Sequence, residues 1–306
     1  MASDANSRAD SDTLELLPPQ WFFPALSITT AGVRVDIAGA SHTGHKRKNN
    51  EDHYLTLRFQ RSLETLSTNV QDDLLNTAFE ETGYGMVVAD GMGGMAGGEV
   101  ASRMALCKLI ELVVNTPDWF MRLSEPEDVV KLTQRITNRF NQIDAAIKAR
   151  TKTEPSLLGM GTTMTLGVSL GSYLLVGHIG DSRAYLLRAE KMHQLTSDHT
   201  LAQTLIDAGI IRADDPTTRT TRHVLTAALG AITKGIVPQV QRVDLKTGDQ
   251  VLLCTDGLTE MVADDKIASI LNSTPSSDNA CHELINAALD GGGRDNITVV
   301  LARYGE

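Results

Sequence analysis

From about residue 31 onward, the apolar and polar positions of the chain fall into two periodicities. Three apolar runs each end on an aspartate followed by a turn residue: Met86-Val87-Val88-Ala89-Asp90-Gly91, Leu174-Leu175-Val176-Gly177-His178-Ile179-Gly180-Asp181-Ser182 and Val251-Leu252-Leu253-Cys254-Thr255-Asp256-Gly257. Short runs bounded by glycine predict buried strands. A fourth segment reverses the order, with Gly291-Gly292-Gly293-Arg294-Asp295-Asn296 leading into Ile297-Thr298-Val299-Val300-Leu301. Between the first two, Thr163 to Leu170 alternates, with Met164, Leu166, Val168 and Leu170 on one face. That pattern predicts a half-buried strand, paired with 173–180 through the turn Gly171-Ser172.

Helical spacing fills the intervals. Ser124-Glu125-Pro126-Glu127 reads as a capping box, and after it Val129, Leu132, Ile136, Phe140, Ile143 and Ile147 share one face. Further helices are expected over 98–115, 199–208, 259–271 and 277–289. Helices beside a strand hairpin imply an α+β layered sandwich.

The 306 residues suffice for one large domain or two small ones. The net charge of −10 argues against non-specific nucleic-acid binding, which needs Lys and Arg to neutralise phosphates. The N-terminus carries Asp4, Arg8 and Asp10 without the apolar core of a signal peptide, and no apolar run approaches the roughly 20 residues of a membrane span. Cys107, Cys254 and Cys281 lie far apart and read as small buried hydrophobes of a reducing compartment. Together these features predict a cytoplasmic protein without a membrane partner. Residues 1–16 are polar and expected to be disordered; Leu16-Leu17-Pro18-Pro19-Gln20-Trp21-Phe22-Phe23-Pro24 reads as a linker that packs locally, and 60–83 as an enlarged hairpin insert.

The aspartates carry the candidate chemistry. An apolar strand ending in Asp-Gly places a carboxylate where a sheet opens to solvent. A single one is ordinarily a turn residue. Several converging on one cleft would repel one another and raise each other's pKa. Divalent cations relieve that repulsion, and oxygen ligands suit Mg2+ or Mn2+. No His/Cys set has zinc spacing. A two-metal carboxylate site suits the activation of water for in-line attack on phosphorus. The glycines of Gly91-Met92-Gly93-Gly94-Met95-Ala96-Gly97-Gly98 allow close backbone approach to a metal or phosphate, and the absence of a following Gly-Lys-Ser/Thr rules out a P-loop. The residues point to metal-assisted hydrolysis of a phosphate ester without saying which ester.

Six motifs occur in order: Arg47-Lys48-Asn49-Asn50-Glu51-Asp52, Asp90-Gly91-Met92-Gly93-Gly94, Gly161-Thr162-Thr163, Gly180-Asp181-Ser182-Arg183, Thr255-Asp256-Gly257 and Arg294-Asp295-Asn296. The set resembles the signature of the metal-dependent protein phosphatases, the protein phosphatase 2C-like group, in its bacterial form, over roughly residues 32–304. The resemblance implies a four-layer αββα sandwich of two antiparallel sheets flanked by helices. It implies an N-terminal extension over 1–30 and a catalytic domain over 31–306, with a flap around 190–235. It implies a serine/threonine phosphatase with two Mn2+ or Mg2+ ions and a third, weaker one. By matching position, Asp90 would bridge the two metals with the Gly91 carbonyl. Asp256 and Asp295 would hold one metal; Asp52, and Glu51 through water, would support the other. Asp181 and Asp256 would hold the third. Arg47 would bind the substrate phosphate, for which a bidentate guanidinium is suited, and a metal-bridging water would be the nucleophile. The expected partners are phosphoproteins made by a Ser/Thr kinase, acted on by a monomer. The competing reading is a catalytically inactive phosphoprotein-binding module of the same fold.

The sequence departs from the family pattern in the flap, where Arg219-Thr220-Thr221-Arg222-His223 replaces His-Pro-x-Arg-Asn and Ala227 replaces an arginine. Met92 stands where animal relatives place a histidine proposed as general acid. His45 and His53, flanking the first motif, are the nearest histidines in sequence; His42, His178, His193 and His282 match no catalytic position.

Overall fold

In chain order the elements of the computed structural model are β1 (Val35–His42), β2 (His53–Glu64), β3 (Ala78–Ala89), β4 (Gly91–Met92), α1 (Gly97–Val114), α2 (Pro126–Thr153), β5 (Gly161–Thr162), β6 (Met164–Leu170), β7 (Tyr173–Ile179), β8 (Arg183–Arg188), β9 (Lys191–Gln194), α3 (Leu201–Asp207), α4 (Thr218–Thr221), β10 (Gln239–Asp244), β11 (Gln250–Cys254), α5 (Asp256–Thr259), α6 (Asp264–Ser273), α7 (Ser277–Asp290) and β12 (Ile297–Tyr304). The structure describes residues 34–70, 78–93, 97–116, 126–231 and 236–305, so the N-terminal extension and Ser124 of the expected capping box lie outside it.

Ten of the strands form two five-stranded antiparallel sheets, ordered β1-β12-β11-β8-β9 and β10-β7-β6-β3-β2, and β4 pairs with β5 alone. Their inner faces meet over Met86, Val88, Leu174, Val176, Leu186, Leu253 and Val300. The second sheet is covered outside by α1 and α2, whose Leu109, Ile136, Phe140, Ile143 and Ile147 are buried against Val87, Leu166 and Leu175. On the first sheet, α6 and α7 bury Ile267, Leu271, Cys281 and Leu284. Each such side chain contributes about 1.5–3 kcal/mol by leaving water. The result is the expected αββα sandwich.

The β6–β7 hairpin turns at Gly171-Ser172 as expected, with Leu170 opposite Tyr173. Strand β6 differs from the expectation of half-burial: Thr165 and Ser169 are buried as well as Met164 and Leu166. The alternate face looks across to the other sheet, so both faces are covered. The helix expected over 259–271 is split into α5 and α6, and α5 starts earlier, at Asp256. Residues 60–83 hold much regular pairing, since β2 and β3 run from His53 opposite Ala89 to Glu64 opposite Ala78. Cys107 is exposed; Cys254 and Cys281 are buried. The two-residue β8–β9 turn places Ala189 and Glu190 at φ +48° and +64° without a glycine.

Candidate active site

Four of the predicted aspartates sit at strand ends where the two sheets meet. Asp90 follows β3, Asp181 follows β7 by two residues, Asp256 opens α5 after β11, and Asp295 precedes β12. Asp52 lies just before β2. The sandwich brings all of these carboxylates into mutual electrostatic reach: Asp90 feels Asp52, Asp256, Asp181 and Asp295.

Backbone hydrogen bonds fix the central loop. The Asp90 N–H donates to Thr163 Oγ1 (3.0 Å), and the Asp90 carbonyl accepts from Thr162 Oγ1 (2.8 Å) and the Thr163 N–H (2.9 Å). The Gly91 N–H donates to the Glu51 carbonyl at 3.2 Å. A β-carbon on Gly91 would lie 2.2 Å from the Gly98 carbonyl oxygen and 2.6 Å from that of Glu51. Glycine is therefore required for the loop, the start of α1 and the Glu51 segment to close on one another. Gly257 is held as tightly, since a β-carbon there would meet the Asn296 carbonyl at 1.9 Å.

Asn296 and Thr255 organise the site without being among its expected chemical groups. Asn296 Nδ2 donates to the Thr43 and Asn49 carbonyls, each at 2.9 Å, and its Oδ1 accepts the Glu51 N–H at 2.7 Å. That amide ties the Arg47–Asp52 loop to the start of β12. Thr255 Oγ1 donates to Asp52 Oδ2 (2.8 Å) and accepts the Thr298 N–H (3.0 Å). The motifs contained both residues; their role as cross-links appears only once the loops meet.

The electrostatics are those of crowded acids. Burial, then neighbouring acids, pushes Asp90 and Asp256 well above the usual carboxylate range. Asp52 is pushed up to about 7, chiefly by burial with Asp295 adding to it. Asp181 is also pushed up to about 7, by burial and then Asp198. Burial raises Glu51 too, and Arg47 offsets part of that. Asp52 Oδ1 and Asp256 Oδ1 are buried and have no hydrogen-bond partner. Buried, unpartnered anionic oxygens are costly unless a cation faces them. With oxygen donors only, the set fits hard divalent cations such as Mg2+ or Mn2+.

Arg47 reaches the same cleft. Its Nη2 donates to Asp295 Oδ2 at 2.6 Å, with the guanidinium side chain 54% exposed. Behind Asp181, the Arg183 guanidinium grips Asp198 through Nε (2.9 Å) and Nη2 (2.7 Å). The His199 N–H donates to the Gly180 carbonyl (2.7 Å), while the Gly180 N–H donates to His199 Nδ1 (3.0 Å). His199 stacks on His178, with ring centroids 4.9 Å apart. Burial drives the His178 imidazole down to about 3, so it is a neutral structural ring. His53 is engaged by Ser102 Oγ at 2.9 Å and His45 is exposed. The Met92 thioether methyl packs over Gly161. A separate apolar cavity of about 130 Å3, lined by Leu57, Phe59, Val113, Leu132, Ile136 and Leu170 among others, contains none of the aspartates.

The comparisons with known proteins agree with this architecture. The family model described as "Protein phosphatase 2C" matches residues 60–290, about three-quarters of the chain. The serine/threonine protein phosphatase PstP of Mycobacterium tuberculosis is 37% identical over 217 residues, 71% of this chain and 40% of that protein. The chain thus corresponds to about two-fifths of that relative's length. The protein phosphatase PhpP of Streptococcus pneumoniae is 31% identical over 280 residues, 89% of this chain and 98% of that protein. The crystal structure of the PstP catalytic domain in complex with two manganese ions superposes with a TM-score of 0.68 at 33% identity, covering 90% of this chain and 100% of the other. With the fold, the ordered motifs and these matches in agreement, the chain belongs to the protein phosphatase 2C family.

Proposed function

We propose that the chain is a metal-dependent protein phosphatase that hydrolyses phosphoserine and phosphothreonine in proteins. The observation that carries the proposal is the convergence of Asp52, Asp90, Asp181, Asp256 and Asp295 on one cleft, with unpartnered buried oxygens on Asp52 and Asp256. In this reading Asp90 and the Gly91 carbonyl would serve both of two cations, Asp256 and Asp295 would complete one set, and Asp52 with Glu51 would support the other. Asp181 and Asp256 would hold a weaker third ion. Bound there, divalent cations would supply an acidified water as nucleophile and screen charge on phosphorus.

The chain's own residues supply placement. Arg47 is exposed enough to turn its remaining N–H donors on a phosphate. Thr255 holds Asp52 by one oxygen and leaves the other buried without a hydrogen-bond partner. Asn296 keeps the Arg47–Asp52 loop at a fixed distance from Asp295. Met92 cannot donate a proton to the serine alkoxide, and Ser102 engages His53. The leaving-group proton therefore comes from water in this reading. No helix among the described residues is long and apolar enough to cross a membrane. We place the catalytic domain at 31–306 with its flap at 190–235 and the extension at 1–30. We take it as a cytoplasmic monomer acting on the products of a Ser/Thr kinase.

The test pairs Mn2+ titration by calorimetry with phosphopeptide hydrolysis. The wild type should bind Mn2+ and release phosphate, and Asp90→Asn or Asp256→Asn should abolish turnover. A wild type that binds phosphopeptide without hydrolysing it at saturating Mn2+ would establish the inactive-module alternative. Only a few-fold loss in both variants would overturn the two-metal assignment.

A further inference from the structure

We propose that Ser102 is a positioning residue of the metal site, its hydroxyl clamping the chain on both sides of Asp52. The role it serves follows from the two-metal reading above; the hydrogen bonds themselves do not depend on that reading. Ser102 lies in α1 and is buried. Its Oγ is 2.6 Å from the Glu51 carbonyl oxygen and 2.9 Å from His53 Nδ1. One hydroxyl on a helix therefore touches the residue before Asp52 and the residue after it. The same Glu51 carbonyl accepts the Gly91 N–H at 3.2 Å. His53 opens β2 opposite Ala89, the residue before Asp90. Ser102 thus joins α1 to the two segments that carry Asp52 and Asp90.

The distances fix where the protons sit. A serine hydroxyl has a single proton, and a carbonyl only accepts. The backbone neighbours of Ser102 Oγ are the carbonyls of Glu51 (2.6 Å), Gly98 (3.1 Å) and Glu99 (3.3 Å). A serine inside a helix ordinarily bonds back to the carbonyl four residues earlier, here that of Gly98, but the Glu51 oxygen is nearer. Two oxygens at 2.6 Å with no proton between them would repel, so the proton lies toward Glu51. Ser102 then has only lone pairs to offer His53, and the ring donates through Nδ1–H. The glycines make room for this clamp: a β-carbon on Gly98 would stand 2.7 Å from Glu51 Oε2 and 2.7 Å from the Gly91 carbonyl oxygen. Without the hydroxyl, the Glu51 carbonyl keeps the Gly91 N–H alone, and the His53 N–H loses its acceptor. The segment that carries Asp52 is then tied to α1 by neither neighbour.

The experiment has two arms. The first is 15N NMR of the metal-free full chain with labelled histidine, any histidine tag removed, at pH 8, where an imidazole is ordinarily neutral. The signal lost in His53→Ala identifies the ring. His53 Nδ1 should resonate as a protonated nitrogen and Nε2 as an unprotonated one. The second arm measures Mn2+ affinity and phosphopeptide turnover. Ser102→Ala should bind Mn2+ about tenfold more weakly, the upper range for one lost hydrogen bond, yet turn over within a few-fold of wild type once Mn2+ saturates. A serine that only stabilised the fold would lower stability without separating affinity from kcat. Should Ser102→Ala fail to fold, Ser102→Cys, which fills the place with a weak donor, carries the same expectation. A His53 ring protonated on Nε2 alone would overturn the inference, since the serine proton would then sit on His53. Wild-type Mn2+ affinity in the serine variant would overturn it too and leave the two-metal reading standing. No Mn2+ binding by the wild type would defeat the two-metal reading and the positioning role with it, whatever the tautomer of His53.

Discussion

Asp52→Asn should stabilise the metal-free protein at alkaline pH and remove its stabilisation by cations. Asp52 is 4% exposed, and burial pushes its carboxyl up to about 7, against an unfolded value near 4. For an acid whose folded pKa is raised, the penalty is absent below the unfolded pKa, grows through the window from about 4 to 7 and is complete above it. About three units at 1.36 kcal/mol each give a full penalty of about 4 kcal/mol, of which about 2 kcal/mol accrues between pH 5.5 and 8. Asparagine keeps an oxygen to accept from Thr255 and carries no charge. The assay is urea unfolding with chelator at pH 5.5 and 8, with and without Mn2+. The metal-free variant should gain on the wild type by about 2 kcal/mol across that interval, and Mn2+ should stabilise the wild type far more than the variant. A metal-free Asp52→Asn protein no more stable than wild type at pH 8 would refute the argument that buried charge strains this site.

Arg47→Ala should raise KM for a phosphopeptide more than it lowers kcat and weaken inhibition by inorganic phosphate; an unchanged KM with unchanged phosphate inhibition would show that Arg47 serves only Asp295. Asn296→Ala removes three hydrogen bonds that tie the Arg47–Asp52 loop, and should cost about 3 kcal/mol in denaturant unfolding together with a large loss of Mn2+ affinity. Glu190→Gly at the β8–β9 turn should raise stability by up to about 1 kcal/mol, because glycine takes φ +64° without the steric cost borne by a side chain; a loss of stability there would show that Glu190 makes contacts worth more than its strain.

Periodicity located most of the elements because both cores are patterned regularly. The face of α2 through Ile136, Phe140, Ile143 and Ile147 is buried, as its spacing predicts. It failed where the second face of an element is covered by a distant partner. Thr165 and Ser169 looked like solvent positions and are buried under the other sheet. The aspartates were legible because each ends an apolar run. What drew them together was not: Asp52 and Asp295 are 243 residues apart, and no local rule states that Asn296 bridges their loops.

In the proposed function the Arg47–Asp295 pair would give the site an order of events. Each partner has a second use in the proposed function, Arg47 toward a phosphate and Asp295 toward a cation. At 2.6 Å and partly exposed, the pair itself contributes at most about 1 kcal/mol. In the proposed function a divalent ion held by Asp295 would compete with Arg47 for the same carboxylate, and a pair this weak would yield at little cost. Arg47 would then have its full fork of donors available beside the cleft. A phosphate arriving before the cation finds Arg47 occupied and a ring of uncompensated acids, both unfavourable to an anion. Weakness of the ion pair would therefore serve the proposed function: it holds Arg47 near the cleft in the absence of a cation, and its yielding to one would let the charge balance that admits the metal also prepare the phosphate contact.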